Sequence, residues 1–270
     1  MENLNRLCLN QATTKQWNLK EAAEGCVRHG ISSIGLWRDK IAEIGLDESK
    51  RVIKDTGLQV SSIIKGGMFP SKTDADFQKM IDENYRAIEE CAELGAKVLV
   101  TVGGELPYKN LQRAWEQFAE GVDKVVSYAK SCGVIIGLEP LHPMYAADRS
   151  ILCSLGHAVD IAKNYDPSVV GVIVDVFHVW WDPDLYNQIS RASEHIVGFH
   201  VSDWLVPLPH MLNGRGLMGD GIIEIEKIRK AVDEAGYKGP IEVEIFNEEL
   251  WSKSGDEVVE LVKKRYMEYV

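Results

Sequence analysis

The sequence lacks a cysteine pattern that would indicate a disulfide framework or a zinc site. Its five cysteines are scattered along the chain, odd in number, and form no Cys-x-x-Cys pair. Cysteines of this kind are typical of buried free thiols in a reducing compartment. The first residues also show no cationic segment followed by an apolar one, so we predict no secretory signal and a cytoplasmic location.

Long apolar runs and an excess of positive charge are absent as well. No run approaches the roughly 20 residues that a membrane-spanning helix needs, so we predict no membrane contact. The 30 basic residues are outnumbered by 41 acidic ones, which gives a formal net charge of −11. Because an acidic surface repels phosphate backbones, a nucleic-acid partner is not expected.

What the sequence does have is an alternation of short apolar runs with amphipathic segments of helical period. Predicted strands cover residues 6–10, 32–37, 59–64, 97–102, 134–139, 170–175, 196–201 and 240–245. Predicted helices follow them at residues 19–29, 41–55, 74–94, 111–132, 155–164, 184–192, 224–235 and 254–269. Such an alternation indicates a parallel sheet covered on its outer face by helices. Eight units in 270 residues predict an α/β protein with a single domain, residues 1–270, folded as a closed (β/α)8 TIM barrel.

An open doubly wound sheet is the alternative fold. That fold would be expected to carry a dinucleotide-binding loop of the form Gly-x-Gly-x-x-Gly. The candidate loop, Gly66-Gly67, lacks this pattern. The closed barrel is therefore favoured.

Four consecutive predicted strands, the fifth to the eighth, each end on a side chain that can bind a metal ion. These side chains are Glu139, Asp175, His200 and Glu244. In a barrel of this kind the carboxyl ends of the strands form the active-site face, so the four would line one side of its mouth. Three carboxylates and one imidazole suit Mn²⁺ first, with Mg²⁺, Co²⁺ and Zn²⁺ as alternatives. Any one of them alone would be read as a solvated loop residue, but four in equivalent positions favour a shared metal site.

Glu242 lies inside the eighth predicted strand, two residues before Glu244 and on the same face. A structural role is favoured for it. A hydrogen-bonding partner of a metal ligand is the alternative.

Further polar and aromatic side chains follow the same strand ends. His178 comes three residues after Asp175, and His142 comes three residues after Glu139 between two prolines. His178 is interpreted as a substrate contact, with a ligand of a second metal or a structural hydrogen bond as the alternatives. His142 is interpreted as a general acid or base or a substrate ligand, with an ordinary loop histidine as the alternative. Trp37 and Trp204 could stack on the C–H face of a sugar, with core packing as the alternative.

Arg215 lies in a glycine-rich segment, Asn-Gly-Arg-Gly-Leu-Met-Gly-Asp-Gly. Glycine lets a backbone come close to a ligand, and a guanidinium can hold a hydroxyl, carboxylate or phosphate with fixed geometry. We therefore interpret Arg215 as a substrate-binding residue, against the alternative of a mobile loop with a solvated arginine.

On these residues the chain resembles the xylose-isomerase-like barrel superfamily of sugar and sugar-phosphate isomerases and epimerases, and within it the inosose-isomerase-like and dehydratase-like branches. The matching segments are Gly-Leu-Glu-Pro-Leu, Val-Asp-Val-Phe-His, Gly-Phe-His-Val-Ser-Asp, the Gly-Arg and Gly-Asp-Gly loop, and Glu-Val-Glu-Ile-Phe-Asn. All of them lie in the second half of the chain. The resemblance implies that Glu139, Asp175, His200 and Glu244 bind one divalent metal, and that His178 and Arg215 contact the substrate.

The superfamily also includes metal-dependent apurinic endonucleases, which carry extra histidines after early strands. The corresponding segments here, Ile-Lys-Gly at 64–66 and Val-Gly-Gly at 102–104, contain no histidine. This departure, together with the negative net charge, argues against DNA repair.

The resemblance implies proton transfer next to the carbonyl of a keto-sugar or keto-cyclitol, through an enediolate that the metal stabilises. Glu139 and Glu244 would be the paired base and acid. We therefore predict a divalent-metal-dependent sugar isomerase or epimerase.

Two alternatives remain open. One is a lyase or dehydratase that eliminates a leaving group from a keto-sugar, 3-keto-glycosides included, with His142 as the acid–base group. The other is a non-catalytic sugar-binding subunit. The expected partner is a small sugar or cyclitol, and association with a second copy or a partner subunit is also open.

Overall fold

A computed structural model describes residues 4–270 and has at its centre a closed barrel of eight parallel strands. The barrel strands are β1 (Leu7–Asn10), β2 (Ser33–Trp37), β3 (Gln59–Gly67), β4 (Val98–Val102), β5 (Ile135–Glu139), β6 (Val170–Asp175), β7 (Ile196–Val201) and β10 (Ile241–Val243). Their order around the barrel is β1, β10, β7, β6, β5, β4, β3, β2. The predicted (β/α)8 TIM barrel is confirmed.

The helices surround the barrel and follow the strands. They are α1 (Leu19–Arg28), α2 (Arg38–Ile44), α3 (Leu46–Thr56), α4 (Asp74–Leu94), α5 (Leu111–Ser131), α6 (Leu155–Ala162), α7 (Val176–Val179), α8 (Leu185–Ala192), α9 (Ile225–Glu234), α10 (Glu248–Trp251) and α11 (Gly255–Tyr269). Among residues 4–270, no helix combines the length and the apolar character that a membrane crossing requires.

The predicted helix over residues 41–55 is wrong in one respect. The structure divides it into α2 and α3 at Gly45, whose φ of 85° lies outside the helical region. Glycine adopts this conformation without the steric cost that a Cβ atom would bring. The apolar periodicity continues across the break, which is why the sequence pattern indicated one helix.

Apolar side chains form two layers on the two faces of the barrel wall. The larger layer lies between the strands and the helices and includes Leu9, Leu36 and Phe199. A small cluster of Ile64, Val98, Val100 and Ile173 fills part of the barrel interior. Strands buried on both faces explain why the runs are almost continuously apolar rather than alternating.

The strand register brings polar strand ends next to each other. Asp175 at the end of β6 pairs with His200 on β7. On the other side of β7, His200 pairs with Glu242 on β10. Glu139 ends β5, on the other side of β6. The metal-competent ends therefore come from adjacent strands β5, β6, β7 and β10.

Two other segments differ from the predicted elements. Residues 202–221 lie between the predicted strand 196–201 and the predicted helix 224–235, and they contain a short antiparallel hairpin, β8 (Asp203–Trp204) and β9 (Arg215–Gly216). Strand β3 is longer than predicted and runs to Gly67, because the buried side chain of Asn84 in α4 binds both the N–H and the carbonyl of Gly67.

Two helix-interior glycines provide a test of the packing between barrel and helices. A Cβ atom at Gly121 in α5 would lie 2.2 Å from the fully buried ring of Phe69, whereas one at Gly156 in α6 would lie 3.2 Å from the flexible side chain of Gln188. We expect Gly121→Ala to lower the free energy of unfolding by about 1–3 kcal/mol through overpacking. Gly156→Ala is the control and should be neutral or stabilising by up to about 1 kcal/mol, since alanine favours helix. Urea unfolding measures both, and equal effects of the two substitutions would contradict the packing described here.

Candidate metal centre and active site

The four predicted metal-binding side chains meet at the carboxyl ends of the strands. Glu139, Asp175, His200 and Glu244 each offer one ligand atom, and these atoms all lie within 4.8 Å of one another. All four residues are at most 5% exposed. The structure thus brings together from four strands the residues that lie far apart in the sequence.

The cluster concentrates negative charge in a buried site. Burial is the largest cause that raises the pKa of Glu244, to about 8, and it raises the pKa of Glu139 as well. Burial opposes a charge on His200, but the carboxylates of Glu242, Glu139 and Glu244 outweigh it and raise the pKa of His200 to about 10. Charges this close attract cations strongly, because they are little screened away from water.

Arg215 is a counterion within the cluster. Its Nη1 lies 2.9 Å from Asp175 Oδ2 and 3.1 Å from Glu244 Oε2. Burial by itself would raise the pKa of Asp175, but the Arg215 guanidinium and nearby imidazoles hold it below its usual range. The guanidinium of Arg215 therefore neutralises part of the negative charge of the carboxylates.

The donor atoms fit a divalent cation. Glu139 Oε1 and His200 Nδ1 are buried and 3.3 Å apart, yet neither has a hydrogen-bond partner in residues 4–270. Buried polar atoms without a partner are costly, so each indicates a ligand. Three carboxylates and one imidazole are donors that Mn²⁺, Mg²⁺, Co²⁺ and Zn²⁺ all accept.

Glu242 lies beneath the cluster, inside the barrel. Its Oε1 accepts a hydrogen bond of 2.6 Å from Asn10 Nδ2, and its Oε2 accepts one of 2.8 Å from Ser61 Oγ. Glu242 Oε2 also lies 3.8 Å from His200 Nε2, the ring nitrogen opposite to the one that faces the cluster. A Cβ atom at Gly35 would lie 1.9 Å from Glu242 Oε1, so glycine is required there. Glu242 thus supports His200 from below, and Asn10 links it to Glu244 at 3.2 Å.

The turn after β6 returns His178 to the cluster. Asp175 caps the single turn of α7, because its Oδ1 accepts a hydrogen bond of 2.9 Å from the backbone N–H of Phe177. His178 Nε2 consequently lies 3.6 Å from Asp175 Oδ2 and 3.1 Å from Arg215 Nη2. Burial lowers the pKa of His178 to about 3, so the ring is neutral near pH 7. Its Nδ1 accepts a hydrogen bond of 3.1 Å from the backbone N–H of His142, which leaves the ring proton on Nε2, toward the cluster.

Arg215 reaches the cluster from the hairpin. Its guanidinium lies between the rings of Phe177 and Phe246, at 4.5 and 5.2 Å from their centroids. The glycines of this segment serve the packing of the chain on itself. A Cβ atom at Gly214 would lie 2.3 Å from the backbone oxygen of His210, and one at Gly221 would lie 2.2 Å from the backbone oxygen of Trp204. We expected the glycines of this segment to let the backbone approach a ligand. At Gly214 and Gly221 it instead approaches another part of the chain.

A cavity of about 300 Å³ opens above the cluster. Glu139, Glu244, His178, Arg215 and Trp37 are among its lining residues. Trp37 is held by a hydrogen bond of 2.8 Å from its indole N–H to Asn10 Oδ1, so an aromatic face borders the cavity. Other lining residues were not identified as candidates from the sequence: Lys65, Met68, Tyr145, Asp148, Arg149 and Phe246.

Two predicted residues lie outside this lining. The ring of His142 lies against Trp204 at 4.7 Å and against Trp181 at 5.9 Å between centroids. His142 Nδ1 accepts a hydrogen bond of 3.1 Å from the backbone N–H of Met144, and burial lowers the pKa of His142 to about 4. Trp204 packs on Phe177 and Trp180. The rings of His142 and Trp204 therefore pack against other aromatic rings of the loops. Their positions after strand ends could not distinguish this packing from substrate contact.

The fold and the site together define a class: parallel eight-stranded barrels with a carboxylate and histidine cluster at the carboxyl ends of the strands. The chain belongs to the xylose isomerase-like TIM barrel family, whose model matches residues 23–264. The resemblance seen in the sequence motifs is confirmed.

Particular proteins are similar over nearly the whole chain. Protein SMc04130 from Sinorhizobium meliloti 1021 has a solved structure that is 44% identical, with a TM-score of 0.97 and 99% of both chains covered. Inosose isomerase of Bacillus velezensis is 25% identical over 96% of this chain and 95% of its own length. A solved structure of the IOLI protein with a bound zinc atom is 22% identical, with a TM-score of 0.85 and 98% of both chains covered. The last comparison shows the shared fold.

A thermal shift tests the metal centre directly. A ligand that binds only the folded state at 100 times its dissociation constant stabilises it by about 2.7 kcal/mol, so Mn²⁺ should raise the Tm of the chelator-treated protein by several degrees. Asp175→Asn should remove most of this shift, because it takes a charged oxygen from the cluster. The control is Glu226→Gln on the exposed face of α9, which should keep the full shift. An unchanged shift in the Asp175 variant would exclude Asp175 as a ligand.

Proposed function

We propose that the chain is a divalent-metal-dependent isomerase or epimerase that acts on a keto-sugar or keto-cyclitol by proton transfer. The observation that carries the proposal is the buried cluster of Glu139, Asp175, His200 and Glu244 beneath a cavity of about 300 Å³. A cavity of this size lies at the lower end for small-molecule sites. The names of the relatives support the same class, since inosose isomerase matches along almost the entire chain.

One divalent ion is the proposed cofactor, with Glu139, Asp175, His200 and Glu244 as its ligands. Mn²⁺ remains our first candidate for its identity, and the zinc atom bound to the IOLI protein supports Zn²⁺ as an alternative. When bound, the ion supplies Lewis-acid polarisation of a substrate carbonyl and stabilises negative charge on its oxygen.

The protein's own groups would move the protons. Glu139 ends β5 and Glu244 follows β10, the outer two of the four ligand-bearing strands, so their carboxylates approach the cavity from different sides. Both carboxylates are buried and line the cavity, which places them beside a carbonyl compound bound there. One would remove the proton next to the carbonyl, and the other would return one on the opposite face.

His178 and Arg215 would hold the substrate's oxygens. The Nε2–H of His178 and Nη2 of Arg215 are both donors, yet they face each other at 3.1 Å. A substrate hydroxyl or carbonyl oxygen that lies beside this pair would accept from both. Trp37 would border the C–H face of the sugar, while His142 would act by holding His178 through its backbone N–H rather than as an acid or base.

Solvent exchange tests the acid–base pair. Glu139→Gln and Glu244→Gln should each slow the incorporation of solvent deuterium next to the substrate carbonyl by about 10²–10⁴-fold, because each removes one proton carrier. Mass spectrometry of the recovered sugar measures the exchange, and bound metal is measured in parallel, since both residues also belong to the ligand set. Glu226→Gln is the control. Exchange that persists from both epimers of a substrate in a metal-loaded Glu244 variant would contradict the assignment.

Product analysis separates isomerase from lyase. Incubation with ketohexoses, inosose, dehydroshikimate and 3-keto-glycosides should give epimers or positional isomers of a ketose or inosose, without loss of water or of an aglycone. Elimination products from dehydroshikimate or a 3-keto-glycoside would instead establish the alternative lyase or dehydratase. Binding of a sugar without any exchange, in protein loaded with Mn²⁺, would favour the non-catalytic alternative.

A further inference from the structure

Two basic side chains outside the metal cluster border the cavity. Lys65 lies near the end of β3, and Arg149 lies in the loop after β5. We call this pair the cationic rim. Neither residue belongs to the metal cluster or to the proposed acid–base groups.

The cationic rim has no counterion within ion-pair distance. In residues 4–270, no carboxylate oxygen lies within 4.0 Å of the Lys65 ammonium or of the Arg149 guanidinium. Arg38 provides the contrast, because it is paired with Glu83 at 2.8 Å and with Glu90 at 2.6 Å. An anion at the rim would therefore gain two unpaired cations as partners.

The surroundings of Lys65 favour a bound anion. Part of the side chain is exposed, yet burial against the cavity walls lowers the pKa of Lys65, and the neighbouring Arg149 lowers it further. Asp39 acts in the opposite direction, and Asp148 also borders the cavity. These two carboxylates lie beyond ion-pair distance, so they reduce the positive potential without satisfying it.

Both rim residues are held by ordered backbone. Asn84 binds Gly67 at the end of β3, two residues beyond Lys65, with hydrogen bonds of 2.6 and 2.9 Å. Next to Arg149, Ser150 Oγ accepts a hydrogen bond of 3.1 Å from the backbone N–H of Gly103. The guanidinium of Arg149 also lies over the ring of Tyr145, at 5.8 Å from its centroid. These contacts fix the backbone from which both side chains of the cationic rim reach the cavity.

We propose that the substrate carries an anionic group, a phosphate or a carboxylate, at the end remote from its carbonyl, and that Lys65 and Arg149 bind it. The metal-binding residues come from β5, β6, β7 and β10, whereas Lys65 comes from β3 across the barrel mouth. One cavity of about 300 Å³ contains both sets. A sugar whose carbonyl lies at the cluster would extend its far end toward the rim. The inference rests on the proposed function for the orientation of the substrate, and it names the substrate class.

Binding of unreactive polyols tests the rim without any turnover. Isothermal titration of the Mn²⁺-loaded protein would compare ribitol, ribitol 5-phosphate and ribonate. We expect at least one anionic compound to bind about tenfold or more tightly than ribitol, the gain of one charge-assisted contact. Lys65→Met and Arg149→Gln should each reduce that advantage, because each weakens the binding of the anionic compound more than the binding of ribitol.

Two further variants control for charge and for folding. Lys163→Met, at the end of α6, should keep the advantage. Asp148→Asn should increase the advantage, because it removes a negative charge from the cavity lining. A preference for ribitol 5-phosphate or for ribonate identifies the anion as phosphate or carboxylate. Equal affinity for all three compounds, or an advantage that survives the Lys65 and Arg149 substitutions together, would overturn the inference.

The outcomes also separate this inference from the proposed function. Rim-dependent binding in a protein that exchanges no proton of any ketose would contradict the isomerase and leave the anion site standing. Proton exchange with a neutral ketose that is unaffected by both rim substitutions, together with equal affinities for the three test compounds, would support the isomerase and contradict the anion site.

Discussion

The structure depends on the way it confines negative charge at one end of the barrel. Glu139, Asp175 and Glu244 are buried within a few ångströms of one another, with Glu242 directly below. Such a group is unfavourable unless cations oppose it, since water cannot screen charges in the interior. Arg215 opposes it in part, and a divalent ion would do so more completely. The hairpin places Arg215 next to the carboxylates of the cluster, and Asn10 and Ser61 donate hydrogen bonds to the carboxylate of Glu242.

The same constraint relates the two ends of the cavity. At the cluster, carboxylates exceed the cations around them, whereas at Lys65 and Arg149 cations lack carboxylate partners within ion-pair distance in the described chain. A substrate with an oxygen-rich carbonyl end and an anionic far end would match this division of charge. The neutral His178, held by the backbone of His142, lies near the cluster as an uncharged donor. The cavity therefore has an excess of negative charge at the cluster and an excess of positive charge at the cationic rim.

The barrel and its four ligand candidates could be predicted because they depend on local pattern. A run such as Val170–Asp175 is buried on both faces, so its apolar stretch has a definite end, and the polar residue at that end is visible in the sequence. Residues whose roles depend on neighbours from other elements could not be predicted in this way. His142 and Trp204 follow strands just as His178 does, but only packing shows that their rings lie on one another. Gly45 interrupts a helix whose apolar period continues unbroken on both sides.

The sequence by itself determined the alternation of strands and helices, and with it the barrel and the common edge where its polar ends meet. Those features follow from the period of burial, which each segment carries independently of the others. Tertiary structure alone decided which polar groups touch. It placed Glu242 beneath His200, Arg215 between two phenyl rings, and Lys65 beside Arg149. Contacts of this kind depend on register, loop path and side-chain direction across the barrel, and none of these is encoded within a single segment.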